Sequence, residues 1–324
     1  MNILLTSIGR RVAIIDFFKE ALSGQGLVMT TDADPTAPGL YRADKGFIVP
    51  RVTEKGYIDT LLEICRVHTI GVIIPFIDPE LPVLARAKER FQDFNIQVLI
   101  SSAAVIDICR DKLRTAQFFN SHGIPSPSTF TTTDNLSDIA FPVVLKPRFG
   151  SSSLGIVECR NLNELEFYSK LRDDFILQEK VGGIEVTTDV LCDFEGRILS
   201  MVPRKRLKVR SGEVERAVTI GLEVIRPWVE KVFTVLKAIG PLNIQCFITD
   251  DGPKFTEINP RFGGGYPLAH KAGADFPRKI INLIQGKTVE AEIGKYEKGL
   301  VMMRYDDAIF LREDQLYHGK GYYF

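Results

Sequence analysis

Short apolar runs alternate with helical patterns over the first hundred residues, and this alternation constrains the fold more than any other feature of the chain. The apolar run of residues 2–8 is followed by Val12, Ile15, Phe18 and Leu22, which recur at helical spacing. Strands that are separated by helices form a parallel sheet. We therefore predict a doubly wound, parallel α/β domain over residues 1–103. Its strands are expected at 2–8, 26–31, 46–50, 71–77 and 97–101, and its helices at 12–22, 57–67 and 81–91.

The loop after the first strand disfavours a nicotinamide-dependent dehydrogenase. A dinucleotide fingerprint needs three glycines in the pattern G-x-G-x-x-G, and this loop supplies only Gly9. Asp32, Asp34, Asp78 and Glu80 follow predicted strands at the carboxyl edge of the sheet, where such folds bind ligands. These acids predict an attraction for an amine, which suggests an amino-acid-like co-substrate.

Composition narrows the class of partner. Lys plus Arg and Asp plus Glu both number 41, so the net charge is zero and nucleic acid is disfavoured as a partner. The N-terminus has no basic export region and no apolar run is long enough to span a bilayer, which predicts a cytoplasmic protein with no membrane partner. Five scattered cysteines without a C-x-x-C pair are expected to be buried thiols.

The second part of the chain is richer in β-strands. A single helix is predicted over 104–122, carrying Asp111 and Lys112, and Gly123 should end it. Strands are expected at 141–147, 155–159, 175–181, 184–192, 198–206, 244–249 and 254–258, and helices at 162–171, 227–239 and 275–283.

Lys146 ends an apolar strand and precedes a loop of glycine and serine, which contains Ser151, Ser152 and Ser153. A fixed ammonium group beside free backbone N–H groups is suited to binding phosphate. A Walker A loop is excluded, since Ile156 stands where its lysine must be. A flexible hairpin turn explains the loop equally well.

Residues 175–181 form a further strand that ends in Glu179, Lys180 and Val181, with Glu185 beyond it. The exposed backbone of such a strand can bind an adenine edge, while Glu179 and Glu185 can accept from its amine or from a ribose hydroxyl. Two ordinary solvated glutamates are the alternative.

The segment from Asn243 to Arg261 reads as a β-hairpin. A three-residue loop at 250–252 would pair Phe247 with Phe255 and Gln245 with Glu257. Gln245, Glu257 and Asn259 would then share one face and offer oxygen ligands to Mg²⁺, provided that a polyphosphate supplies the remaining oxygens. A two-residue loop would separate Gln245 from Glu257, and a merely polar hairpin face stays open.

Two basic features flank this hairpin. Arg261 precedes three glycines and offers a fork for a phosphoryl or carboxylate oxygen, although a surface salt bridge is the alternative. Arg204, Arg206, Lys208 and Arg210 alternate along one strand, which predicts a solvated basic face, with binding of a triphosphate or an acidic substrate as the alternative.

Taken together, these motifs resemble the ATP-grasp superfamily in order and spacing, and in particular the carbamoyl-phosphate synthase large subunit and its short relatives. The resemblance implies a Rossmann-like domain at 1–103 and an α+β ATP-grasp domain of two subdomains at 104–324. The lid subdomain would span about 126–182, the C-terminal subdomain about 183–300, and the tail 301–324.

The resemblance also implies roles for individual residues. Lys112 and Lys146 would contact the phosphates of ATP, and residues 149–155 would close over them. Arg261 would hold the transferred phosphoryl group. Adenine would be held by Glu179 with the backbone of Lys180 and Val181, ribose by Glu185, and Mg²⁺, or Mn²⁺ as an alternative, by Gln245, Glu257 and Asn259.

The implied reaction is the ADP-forming activation of a small carboxylate as an acyl phosphate, which an amine or similar nucleophile then attacks. A catalytically silent nucleotide-binding subunit of a larger assembly and an ATP-grasp kinase are the alternatives. A homodimer is left open as the assembly.

Overall fold

The computed structural model of the 324-residue chain describes residues 1–132, 134, 139–150, 155–210 and 212–316. In this part of the chain the strands are β1 Asn2–Thr6, β2 Val28–Asp32, β3 Lys45–Ile48, β4 Ile70–Pro75, β5 Gln97–Val98, β6 Thr129–Thr131, β7 Val143–Pro147, β8 Val157–Cys159, β9 Phe175–Glu179, β10 Ile184–Cys192, β11 Ile198–Arg210, β12 Glu213–Thr219, β13 Gly240–Thr249, β14 Gly252–Asn259 and β15 Val301–Met303.

Ten α-helices lie in the same described ranges, and two short 3₁₀ turns accompany them at Asp78–Glu80 and Glu313–Gln315. The helices are α1 Val12–Leu22, α2 Pro38–Arg42, α3 Tyr57–Val67, α4 Leu81–Gln92, α5 Ala103–Arg110, α6 Lys112–Ser121, α7 Leu162–Ser169, α8 Arg226–Leu236, α9 Tyr266–Lys271 and α10 Phe276–Ile284.

The chain forms two compact units. The first comprises Met1–Ala103, Asp275–Ala291 and the described part of the chain from Tyr305 onward; the second comprises Ala104–Ala274 and Glu292–Arg304. Helix α10 packs against α1 in the first unit, whereas the sequence suggested that it belongs to the second domain. The domain boundaries themselves stay predictions.

The first unit contains the predicted parallel sheet, with strand order β3-β2-β1-β4-β5. Apolar side chains from both faces of β1 and β4 are fully buried, as two covering layers of helix require. The α/β fold class is confirmed, and all five predicted strands and three predicted helices are present. Helix α2 was missed because its Pro38-Gly39 start is a pattern of turns.

Two of the acidic side chains predicted at the edge of this sheet, Asp32 and Glu80, form hydrogen bonds within the protein. Glu80 is completely buried, accepts a hydrogen bond from the Tyr57 hydroxyl, and has its pKa raised by burial. Asp32 accepts from the backbone N–H groups of Gly9 and Asp34. The expectation that Glu80 attracts an amine is therefore wrong, because no ligand can reach a side chain without exposed surface.

The second unit contains two antiparallel sheets. Strands β6-β9-β7-β8 form the smaller one over a core that includes Val143, Leu145 and Leu177. The larger sheet has the order β14-β13-β10-β11-β12-β15, and helices α6 and α8 contribute Phe119 and Phe233 to the core on one of its faces. The predicted α+β character of this part is confirmed.

The helix predicted over 104–122 is two helices, and Asp111 separates them. Its backbone is extended, and its carboxylate caps α6 by accepting from the N–H groups of Leu113 and Arg114. The same carboxylate accepts two bonds from Arg148, at 2.8 and 2.6 Å. Capping and the ion pair stabilise a break that apolar periodicity alone does not reveal.

We expect Asp111→Ala to lower the free energy of unfolding by about 1–3 kcal/mol, because α6 loses its cap and Arg148 loses a buried partner. Asp111→Asn, which keeps a cap oxygen, should cost less. Urea unfolding followed by circular dichroism measures both. The matched control is Asp107→Ala on the exposed face of α5, and an equal loss in this control would contradict the assignment.

Candidate functional site

A pocket of about 400 Å³ opens within the second unit and is lined by residues of both antiparallel sheets and of the start of α6. Its volume is in the range of about 300–1,000 Å³ that small-molecule sites occupy. The wall combines apolar side chains with charged ones of both signs. Its residues are Lys112, Val144, Lys146, Pro147, Phe149, Gly150, Ile156, Gln178, Glu179, Lys180, Val181, Glu185, Arg206, Gly212, Gln245, Phe247, Thr256 and Glu257.

Lys146 lies in this wall because side chains alternate along β7. Val143 and Leu145 face the small core, so Val144 and Lys146 face the pocket. The lysine is only 6% exposed. Burial lowers its pKa to about 8, an effect that the field of Glu257 opposes and that of Lys112 reinforces. A cation held this far from water favours an anionic ligand.

Lys112, the first residue of α6, brings a second ammonium group to the pocket. Its backbone N–H donates to the Arg148 carbonyl at 3.1 Å, and its Nζ donates to the Gly150 carbonyl at 2.8 Å. The cap at Asp111 fixes the start of the helix and therefore the place of this lysine. The predicted phosphate ligands Ser151, Ser152 and Ser153, and the rest of the predicted lid loop apart from residues 149, 150 and 155, lie outside the described residues.

The hairpin of β13 and β14 has a two-residue loop, since Thr249 pairs with Gly252. The predicted three-residue loop is wrong, and Phe247 pairs with Lys254 instead of Phe255. Gly252 has a positive φ of 111°, a conformation that glycine adopts without steric cost.

A register shift nevertheless restores the predicted pair farther along the hairpin. Cys246 opposes Phe255 and Gln245 opposes Glu257, which leaves Thr256 as an extra residue on β14. Such a bulge moves all later side chains to the other face. Gln245 and Glu257 therefore lie on the same side of the sheet, as expected, although for a reason that the sequence did not indicate.

The three predicted metal ligands are brought together. Glu257 Oε1 accepts from Gln245 Nε2 at 3.2 Å and from Asn259 Nδ2 at 2.7 Å. In the described residues no group of three or more His, Cys, Asp or Glu side chains is placed to hold a metal. One carboxylate and two amides fit Mg²⁺ only when phosphate oxygens complete the shell.

Glu179 lines the pocket, but its carboxylate already has partners. It accepts from the Lys254 ammonium group and, at 3.2 Å, from the Ser128 N–H. These bonds outweigh desolvation and lower its pKa. Lys180 directs its Nζ to Glu158 at 2.7 Å, so its side chain is also occupied. Lys180 and Val181 both line this end of the pocket.

Glu185 accepts a hydrogen bond from Arg206, and both line the pocket. Arg206 Nη2 lies 3.4 Å from the Gly212 carbonyl.

Arg204 forms a buried pair with Asp189, at 2.9 Å. The predicted solvated basic face is therefore wrong for these two arginines, because acids on neighbouring strands pair with them; only Lys208 and Arg210 are exposed, beside Glu215.

Arg261 is not among the lining residues of the pocket but lies beside the cluster of Gln245, Glu257 and Asn259. Its Nη2 is 3.5 Å from Asn259 Oδ1 and its Nη1 donates to the Phe262 carbonyl at 3.0 Å. The glycines that follow pass close to the Arg204 pair. A Cβ atom at Gly265 would lie 2.4 Å from Arg204 Cζ, so only glycine fits there.

Comparison with known proteins connects this geometry to a family. Residues 109–265 match the family model described as "ATP-grasp domain", and residues 3–99 match "PylC-like, N-terminal domain". The first range contains every predicted site residue from Lys112 to Arg261. Residues 109–265 are thus an ATP-grasp domain.

Two curated relatives are carbamoyl-phosphate synthases. The protein of Methanobrevibacter smithii is 26% identical over 180 residues, which cover 53% of this chain and 47% of the relative. The large chain of Vibrio cholerae is 27% identical over 258 residues, which cover 72% of this chain and 24% of the relative. The chain thus spans less than half the length of either relative.

Solved ATP-grasp structures share the fold at low identity. N5-carboxyaminoimidazole synthetase of Staphylococcus aureus, complexed with ADP, has a TM-score of 0.75 at 16% identity over 94% of this chain and 82% of that one. The biotin carboxylase domain of 2-oxoglutarate carboxylase from Hydrogenobacter thermophilus, a dimer with MgADP and bicarbonate, also has 0.75, at 17% identity over 92% and 73%.

Gln178 and Arg206 are among the lining residues that the sequence did not indicate as site residues. Gln178 interrupts an apolar strand, and this polarity was the available signal. Arg206 belonged to a period-two pattern, but the pattern does not reveal which face of β11 lies toward the pocket.

Among the described residues no helix has the length and apolarity needed to cross a bilayer.

Alanine substitution of Gly265 and Gly264 tests whether the chain packs closely on Arg204. Gly265→Ala should lower the free energy of unfolding by about 1–3 kcal/mol, because its Cβ would overlap a buried guanidinium group. Gly264→Ala is the matched control: its Cβ would lie no closer than 3.5 Å to Glu213, so a change within about 0.5 kcal/mol is expected. Thermal unfolding measures both, and equal shifts would contradict the account.

Proposed function

We propose that this protein is an ADP-forming ligase that uses ATP to activate a carboxylate for attack by an amine. The observation that carries the proposal is the convergence of Lys112, Lys146, Gln245 and Glu257 on one pocket of nucleotide size. The ATP-grasp domain match over residues 109–265 and the ADP complexes of the structural neighbours support it.

In this proposal the apolar wall at Val144, Ile156 and Phe247 surrounds the base. The backbone of Lys180 and Val181 hydrogen-bonds the adenine edge, because the Glu179 carboxylate is held by other partners. Glu179 then acts by fixing the end of β9 and not by accepting from adenine itself. Glu185, oriented by Arg206, accepts from the ribose.

The phosphates extend toward Lys146 and Lys112. Gln245, Glu257 and Asn259 would hold Mg²⁺ together with phosphate oxygens, and the ion would neutralise part of the charge on the phosphates. Mn²⁺ has the same preference for oxygen ligands and is the alternative. Both amides must turn their oxygens outward for this, since their nitrogens now face Glu257.

The chemistry requires charge and position more than a protein nucleophile. A carboxylate oxygen attacks the γ-phosphorus and ADP leaves, which forms an acyl phosphate. The amine then attacks the acyl carbon, inorganic phosphate leaves, and a proton is released. Arg261 is proposed to hold the transferred phosphoryl group, with Lys146 stabilising the developing negative charge.

The formation of ADP tests this reaction directly. Purified protein with MgATP and a panel of small carboxylates should release ADP, more rapidly when an amine is added, and hydroxylamine should trap the acyl phosphate as a hydroxamate. Glu257→Gln should lower the rate at least about tenfold by removing the one carboxylate among the proposed metal ligands. A stable phosphorylated product without an amine would indicate a kinase, and no ADP with any carboxylate would indicate the silent subunit.

The pKa of Lys146 predicts the pH dependence of ATP binding. The phosphates favour the charged lysine, so the complex holds its proton to higher pH than the free protein does. Below pH 7 the affinity should be constant, and it should fall as the pH rises through about 8. Calorimetric titration between pH 6.5 and 9.5 measures this.

Lys146→Met provides the control for this dependence. It should raise the Kd for ATP about tenfold at pH 7 by loss of a charged contact, and it should abolish the fall in affinity above pH 8. Lys170→Met, at an exposed site at the end of α7, should leave both unchanged. A wild-type affinity that stays flat to pH 9.5 would contradict the role of Lys146.

A cytoplasmic location and a homodimeric assembly stay predictions from the sequence.

A further inference from the structure

Two buried polar side chains lie next to each other on the pocket face of the smaller sheet. Lys146 opposes Ile176 and Gln178 opposes Val144 in the β7–β9 ladder, so Lys146 and Gln178 are diagonal neighbours. Each is 6% exposed, and Lys146 Nζ donates to Gln178 Oε1 at 2.7 Å. The glutamine carbonyl is thus a direct partner of the lysine.

The next strand fixes the orientation of this glutamine. Thr129 on β6 opposes Gln178, and Gln178 Nε2 donates to Thr129 Oγ1 at 2.9 Å. Thr129 Oγ1 in turn donates to the Pro127 carbonyl at 3.0 Å. A carbonyl oxygen can only accept, so the single hydroxyl proton is used there and the hydroxyl must accept from the amide.

The reverse orientation of the amide is unfavourable at both ends. It would place the Gln178 carbonyl against a lone pair of Thr129 and the NH₂ group against the Lys146 ammonium group. Both hydrogen bonds would be lost at a site that water hardly reaches, and buried polar groups without partners are costly. The chain of bonds from Pro127 to Lys146 therefore allows one arrangement.

We infer that Gln178, oriented by the Thr129 hydroxyl, is a positioning residue that holds the Lys146 ammonium group at the wall of the pocket. A lysine side chain has four rotatable bonds, and a fixed acceptor removes much of that freedom before the ligand arrives. The inference rests on the proposed function in one respect, namely that the ligand contacted by Lys146 is a nucleotide phosphate.

The test compares Thr129→Val with Thr129→Ser. Valine has nearly the same shape and suits a strand, but it removes the hydroxyl; serine keeps it. Thr129→Val should raise the Kd for ATP about three- to tenfold, whereas the Kd for adenosine, which has no phosphate, should change by less than about twofold. Thr129→Ser should restore the wild-type value for ATP.

A double-mutant cycle shows whether the effect passes through Lys146. In the Lys146→Met background, Thr129→Val should weaken ATP binding by less than about twofold, because the group that it positions is absent. An equal loss in both backgrounds, an equal loss for adenosine, an equal loss in Thr129→Ser, or no loss at all would overturn the inference.

A measurement without ligand separates this inference from the proposed function. The side-chain amide of Gln178, assigned by its disappearance in Gln178→Leu, should give an exchange-protected nuclear magnetic resonance signal in the wild type and in Thr129→Ser but not in Thr129→Val. Wild-type protein that binds no nucleotide would overturn the proposed function while this signal still decides the orientation of Gln178. An unchanged signal in Thr129→Val would overturn the inference.

Discussion

The pocket depends on an ammonium group that the smaller sheet holds almost entirely out of water. A charged lysine in such a place raises the free energy of the folded protein, and burial accordingly lowers the pKa of Lys146 to about 8. The cost is limited by the carbonyl of Gln178 and by the field of Glu257 across the pocket. The negative charge of a bound ligand would offset the rest of the cost of burying the Lys146 charge. The proposed function follows from this need for an anionic ligand.

Other polar groups of the pocket wall are held in place by hydrogen bonds and ion pairs near the buried Lys146 ammonium group. Asp111 breaks a helix and thereby places Lys112 beside Lys146, and its pairing with Arg148 ties this start of α6 to the end of β7. Glu185 and Glu179 face basic partners, so their carboxylates are oriented before a ligand binds. In the proposed function this arrangement binds phosphate and ribose at low cost in side-chain entropy.

Much of this fold could be predicted from the sequence, because strand and helix periods in the first unit are regular and its strand ends carry clear turn residues. The pairing of Gln245 with Glu257 was also predicted, but two errors in the predicted hairpin cancelled. The loop has one residue fewer than predicted, and β14 has an unpredicted extra residue at Thr256, so the pair is the same. The sequence could not show the break at Asp111, which long-range pairing with Arg148 stabilises, nor the side of β11 on which Arg206 would find its acid. These features depend on contacts between distant segments, which local periodicity does not encode.

The most direct measurement is a crystal structure of the protein with Mg²⁺ and a non-hydrolysable ATP analogue. We expect phosphate oxygens within hydrogen-bonding distance of Lys112 Nζ and Lys146 Nζ, with the metal bound by Glu257 and the base against the backbone of Val181. A nucleotide that binds elsewhere, or that places its base at the two lysines and its phosphates in solvent, would contradict the account.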